Sequence, residues 1–198
     1  MWYIVIVLGW ILFISGGLTL AVGGDFLSIL AYTALAVVIV VAIDGIVAGT
    51  ARALPEKCAD RRKRIFHVSK KEKQFYEKLK IRKWKDKVPE IGHLTGFRKN
   101  KLQDPKSLAY VDRFLLEVCY GEIGHFFSAI LGFATLGFFF ITPLWWAIAL
   151  PVSVINAVMN APSFMIWRYN CYKLEILRAN LIRHAEREKT AEKSIEQS

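Results

Sequence analysis

The chain has 198 residues, of which 54% are hydrophobic and 13% aromatic, and its formal net charge is +10. That apolar content excludes a disordered chain and exceeds the ordinary soluble range of about 45–50%. The charge is also segregated: residues 1–50 hold Asp25 and Asp44 with no Lys or Arg, whereas residues 51–106 hold 19 Lys and Arg against 7 Asp and Glu. A basic block lying between apolar stretches is explained by the positive-inside rule more economically than by nucleic acid, so no nucleic-acid partner is expected. Cys58, Cys119 and Cys171 form no C-x-x-C pair, which indicates neither a zinc knuckle nor a disulfide framework. The expected fold class is all-α: a polytopic membrane protein with four transmembrane helices and a basic cytoplasmic loop carrying an amphipathic interfacial helix.

A spanning helix needs about 20 apolar residues. The first span is expected over Trp2–Val22. Its apolar run is long, no basic residue precedes it, and a second span follows at once, so it reads as a retained anchor rather than a secretion signal. Gly23, Gly24 and Asp25 form the turn, and the second span runs from Phe26 to Ala48. Residues 1–50 thus form one hairpin and residues 51–112 the basic loop. Within the loop, Lys70–Lys85 interleaves Phe75, Tyr76, Leu79, Ile81 and Trp84 with lysines and arginines. That pattern suits a helix lying in the headgroup layer; the plainer reading is a solvated basic face.

The third span is expected to start near Ser107 or Asp112, to be apolar from Ile123 to Ile141, and to end at Thr142 and Pro143. The fourth runs from Leu144 to Trp167 with Pro151 and Pro162 inside it, each expected to mark a kink. Residues 113–168 therefore form a second hairpin, and 169–198 a cytoplasmic tail with Leu174, Leu177, Leu181 and Ile182 on one helical face. The turns at 23–25 and 142–143 carry no positive charge, while 49–112 and the tail are basic. Both termini are accordingly expected in the cytoplasm of a multi-pass cell-membrane protein.

Ionisable side chains in a span are costly and mark sites by default. Asp44 lies about one turn from the end of the second span, where it either snorkels to the surface or serves a site. The stretch from Glu117 through Glu122 to His125 is richer. Glu122 and His125 are three apart and share a helix face, and Gly121 and Gly124 remove bulk beside them. A His oriented by a carboxylate is a competent general base. The same residues also fit an interfacial anchor, or a metal site, although their spacing matches no zinc motif. Asn156 and Asn160 lie one turn apart in the fourth span, ahead of Arg168, Tyr169 and Asn170. Asn and Tyr can donate to an oxyanion and Arg can hold an anion; the two Asn also fit as glue between helices. Cys119 is a poor nucleophile, because apolar surroundings disfavour its thiolate. No G-x-S-x-G, H-E-x-x-H, Walker loop or G-x-G-x-x-G occurs.

Three blocks carry a resemblance. The first runs from Lys73 to Glu90 and contains Lys83-Trp84-Lys85-Asp86-Lys87-Val88-Pro89-Glu90. The second is Glu117 through Glu122 to His125, and the third is Asn160-Ala161-Pro162 through Arg168-Tyr169-Asn170 to Leu174. In order and membrane context they resemble the glycosyl-4,4'-diaponeurosporenoate acyltransferase family, small bacterial membrane proteins linked to staphyloxanthin-type carotenoid synthesis. The chain departs from that pattern after Asn170, where Cys171-Tyr172-Lys173 stands in place of Arg-Pro-Arg.

The resemblance implies transfer of a fatty acyl group to a hydroxyl of a glycolipid or glycosylated terpenoid. In the combined expectation His125 is the general base, and Glu122 or Glu117 orients its ring. Asn160, Arg168, Tyr169 and Asn170 face the substrate, while Lys83, Trp84, Lys85 and Asp86 form a cytoplasmic rim. The rim lysines would hold the phosphates of an acyl thioester donor. No metal and no organic cofactor are expected. The expected partners are membrane lipids, the lipid or glycolipid acceptor and the acyl donor. Two rivals use the same residues: a lipid hydrolase on this scaffold, and a non-enzymatic lipid-binding or assembly protein.

Overall fold

The computed structural model of the chain describes residues 2–88 and 102–196. Among the described residues all regular structure is helical. The Pro89-Glu90 end of the first block lies outside the described residues. Four helical stretches are long and apolar enough to cross a membrane: Ile4–Val22, Phe26–Ala53, Leu108–Phe138 and Trp145–Lys193. The chain divides into two compact units that interleave in sequence. The first comprises Met1–Ala53 and Ile123–Phe164, the second Leu54–Glu122 and Met165–Ser198.

In the first unit, α1 (Trp2–Val22) and α2 (Phe26–Ala53) are joined by Gly23 and Gly24, at φ of 72° and 105°. Both angles lie in the left-handed region that glycine enters without steric cost. Asp25 caps α2, its Oδ2 accepting from the Ser28 amide at 2.8 Å. α2 continues to Ala53, beyond the end expected at Ala48. Ile14, Ala36, Val40, Trp145, Ile148, Ala149 and Val152 form the buried core. Outside it, Phe13, Leu20 and Phe140 are 70%, 90% and 75% exposed, an apolar surface suited to hydrocarbon rather than water.

α5 (Leu108–Leu131) does not continue as an α-helix to Ile141. It tightens into a 3-10 stretch over Gly132–Phe138. Distant side chains take the carbonyls there: Ser153 Oγ donates to Gly132 O at 3.2 Å, and the buried Trp145 Nε1 donates to Thr135 O at 2.8 Å. α6 (Trp145–Glu196) then runs unbroken through Pro151 and Pro162, so the helix expected to end at Trp167 extends through the tail.

In the second unit the helix expected over Lys70–Lys85 is two helices, α3 (Lys70–Lys78) and α4 (Ile81–Trp84). Lys80 between them adopts the left-handed conformation, φ 54°. The break lets Tyr76 and Ile81 both bury, in one cluster with Ile166 and Tyr169. Ser69 caps α3 by accepting from the Glu72 amide at 3.1 Å. A second cluster joins Val68, Val111, Phe114, Leu115, Val118, Cys171 and Leu174, with Leu177 and Leu181 packed against it. At Gly121 a Cβ would lie 2.9 Å from Trp167 Nε1, so only glycine fits that approach without a shift.

Candidate active site

Within the first unit, α2, α5 and α6 contribute one polar cluster. His125 Nδ1 lies 2.9 Å from Asn160 Oδ1. Asn160 Nδ2 donates to Asp44 Oδ2 at 3.2 Å, and Asn156 Nδ2 donates to Asp44 Oδ1 at the same distance. Asn156 Nδ2 also reaches Ser128 O at 3.2 Å, and Asn160 Nδ2 reaches Asn156 O at 3.1 Å and Asn156 Oδ1 at 3.2 Å. Gly132 is part of the same packing: a Cβ there would sit 2.5 Å from Asn156 Nδ2. Asn160 is buried, while His125 and Asp44 are half-buried. The cluster therefore combines one titratable ring with one carboxylate through an amide.

The second unit holds an ion-pair network. Glu122, 3% exposed, accepts from Arg61 Nη1 at 2.9 Å and from Arg168 Nη1 at 3.1 Å. Each guanidinium nitrogen of Arg168 is engaged. Nε and Nη2 make a bidentate pair with Glu72, Nη1 also donates to Ile65 O, and Nη2 to His67 O. Fork-to-fork geometry of this kind is among the strongest polar contacts a protein makes. Tyr76 OH donates to Glu72 Oε1 at 2.7 Å. Burial works against the Glu72 charge, but the Arg168 and Tyr76 hydrogen bonds outweigh it and hold the carboxyl below its ordinary value. Burial and the adjacent Glu72 carboxylate together push the Tyr76 phenol up. Arg61 also donates to Glu175 at 3.1 Å, and its Nη2 is buried without an acceptor.

The remaining candidates fall as follows. Glu117 is buried and accepts from Arg113 Nη2 at 2.9 Å. Tyr169 is buried, its hydroxyl accepting from Arg82 Nε at 2.6 Å while Lys173 Nζ lies 4.8 Å over its ring. Asn170 is buried and Lys83 exposed. Trp84 Nε1 donates to Leu79 O at 2.9 Å, and Lys85 Nζ lies 3.8 Å from Asp86. The His125 ring pairs through Nδ1 with Asn160, and both Glu122 oxygens are held by arginines. Asp44, whose sequence position suits either snorkelling or a site, belongs to the polar cluster of α2, α5 and α6. The available signal was its isolation, a lone carboxylate within an apolar span. Among the described residues no group of three His, Cys, Asp or Glu side chains gathers as metal ligands.

Residues 60–180 match the family described as CrtO, glycosyl-4,4'-diaponeurosporenoate acyltransferase. No curated protein and no solved structure matches the chain.

Proposed function

The chain belongs to the glycosyl-4,4'-diaponeurosporenoate acyltransferase family, and from that premise we propose that it esterifies a hydroxyl of a membrane-bound glycosylated terpenoid or glycolipid, with His125 as general base. The family is one of acyltransferases acting in carotenoid glycolipid modification. The observation that carries the residue assignment is the 2.9 Å contact between His125 Nδ1 and Asn160 Oδ1. A neutral ring that donates from Nδ1 carries its lone pair on Nε2.

In the proposed reaction Nε2 removes the acceptor hydroxyl's proton as that oxygen bonds to the acyl carbonyl carbon of a thioester. The tetrahedral intermediate collapses by breaking the carbon–sulfur bond. The imidazolium returns its proton to the departing sulfur, so the products are one ester and one thiol. The donor is an acyl thioester of coenzyme A or acyl carrier protein, whose phosphates suit Lys83 and Lys85. Arg168 serves this scheme as a clamp rather than as an anion ligand, since its N–H groups are spent on Glu72, Glu122 and two carbonyls.

The site faces the cytoplasmic leaflet in this reading, supported by the 19 Lys and Arg of residues 51–106. Cys119 and Cys171 are 0% exposed, whereas Cys58 is half-buried. An impermeant maleimide should therefore label Cys58 only after cells are permeabilised; labelling of intact cells would reverse the orientation.

The function is tested with purified protein in lipid, an acyl-coenzyme A and a glycosylated terpenoid, followed by lipid mass spectrometry. The expected product is the acylated acceptor, and His125→Ala should lower its formation about 10²–10⁴-fold while the protein remains folded. Formation of fatty acid alone would mean hydrolysis. A folded His125→Ala protein that transfers at the parent rate would remove His125 from the mechanism.

A further inference from the structure

The orientation of the Asn160 amide decides which His125 nitrogen carries the lone pair. If Nδ2 faced the ring, Nδ1 would have to accept, the proton would sit on Nε2, and the ring could not act there as a base. Besides Asn156 Oδ1, which lies 3.2 Å from Asn160 Nδ2 and belongs to an amide that itself donates Nδ2 to Asp44 Oδ1, two contacts bear on that orientation. One is Asn156 O, 3.1 Å from Asn160 Nδ2, but in an α-helix this carbonyl already accepts the backbone N–H four residues on. The other is Asp44 Oδ2 at 3.2 Å. An ionised carboxylate only accepts, so it can face Nδ2 but not Oδ1. Asn156 holds the carboxylate in turn, donating Nδ2 to Asp44 Oδ1 at 3.2 Å and to Ser128 O at 3.2 Å.

We infer that Asp44 is a positioning residue: it aims the Asn160 amide, and through that amide fixes His125 as the Nδ1–H tautomer. In this reading Asp44 acts on the ring through the Asn160 amide. Its effect on turnover follows from the proposal that His125 is the base; its effect on the tautomer does not. The arrangement is analogous to the catalytic triads, in which an acceptor at one imidazole nitrogen sets the tautomer and its amide replacement selects the wrong one. Here the acceptor is an amide, and the carboxylate stands one hydrogen bond further back.

The test substitutes Asp44→Asn, which keeps the side-chain shape but can donate as well as accept. Protein labelled with nitrogen-15 histidine is reconstituted in lipid nanodiscs, and the His125 signals are assigned by their loss in His125→Gln. The parent should show the Nδ1–H tautomer. In Asp44→Asn an Nε2–H population should appear, and kcat should fall about 10²–10⁴-fold with KM little changed. Asp44→Glu should restore the Nδ1–H tautomer. An unchanged tautomer in Asp44→Asn overturns the inference, whatever happens to the rate. Should Asp44→Asn not accumulate as folded protein, the parent spectrum decides: an Nε2–H ring there is equally fatal. A shifted tautomer with unchanged turnover would leave the inference standing and count against His125 as the base.

Discussion

The two units use polar chemistry in opposite ways. In the second, charges are matched by charges: Arg168 is gripped by Glu72 and Glu122, and Arg61 by Glu122 and Glu175. Buried pairs of this kind return little net stability over an apolar core, but losing one partner is severe because the other stays buried and uncompensated. In the first unit the Asp44 carboxylate is met by two amides. Amides are neutral and directional; they orient a ring without neutralising it. A guanidinium network fixes architecture, whereas an amide relay leaves a proton position to be chosen. Glu and Arg on one side and Asp and Asn on the other thus divide between holding the fold and, in the proposed mechanism, setting up chemistry.

The largest expected effect comes from breaking the charged side of this contrast. Arg168→Met removes the shared partner of Glu72 and Glu122, and should destabilise the protein by about 3–5 kcal/mol. Thermal unfolding followed by tryptophan fluorescence in detergent measures it; a melting curve like the parent's would mean the network is dispensable. The next effect sharpens the amide side. Gly132→Ala would place a Cβ 2.5 Å from Asn156 Nδ2 and 3.2 Å from Val40 Cγ2. Such overpacking costs about 1–3 kcal/mol, and here it displaces the amide that holds Asp44, so turnover should fall further than in Gly137→Ala, where a Cβ meets nothing within 4 Å. Equal turnover in the two variants would detach Asn156 from the site.

The smallest effect is a pH dependence. The Glu72 carboxyl lies below its ordinary value of 4.5 in the folded protein. Its contribution is therefore complete above pH 4.5 and is lost as pH falls through the depressed folded value. Denaturant midpoints taken from pH 6 downward should decline below that point in the parent and less steeply in Glu72→Gln. Parallel curves would remove Glu72 from the acid response.

What composition reveals and what it hides can be seen element by element. α1 occupies Trp2–Val22, and α5 begins at Leu108, beside Ser107, the earlier of the two expected starts, Ser107 and Asp112, because apolar runs and their polar borders are local properties. The 3-10 stretch over Gly132–Phe138 is not local. It depends on Ser153 and Trp145, which reach it from later in the chain. The break at Lys80 was hidden for the same reason, since the residues that bury Tyr76 and Ile81 include Ile166 and Tyr169. At the site, His125 and Asn160 stood out because polar side chains in apolar helices are conspicuous. The role of Asp44 did not, because its amide partners lie 112 and 116 positions away. Arg168 is conspicuous too, but its acceptors Glu72, Ile65 and His67 lie 96, 103 and 101 positions away.

The interleaving of the units also sets a timetable for biogenesis. A ribosome delivers the chain from its N-terminus, and the first unit lacks its last segment until Phe164 has been made. Glu72 and Glu122 are synthesised 96 and 46 residues before the arginine that pairs with both. During that interval Arg61 is the cation already present for Glu122. A nascent chain stalled short of Asn160 would thus carry an unmatched acid and an unfinished amide relay together, so quality control that senses either would discard the same intermediate.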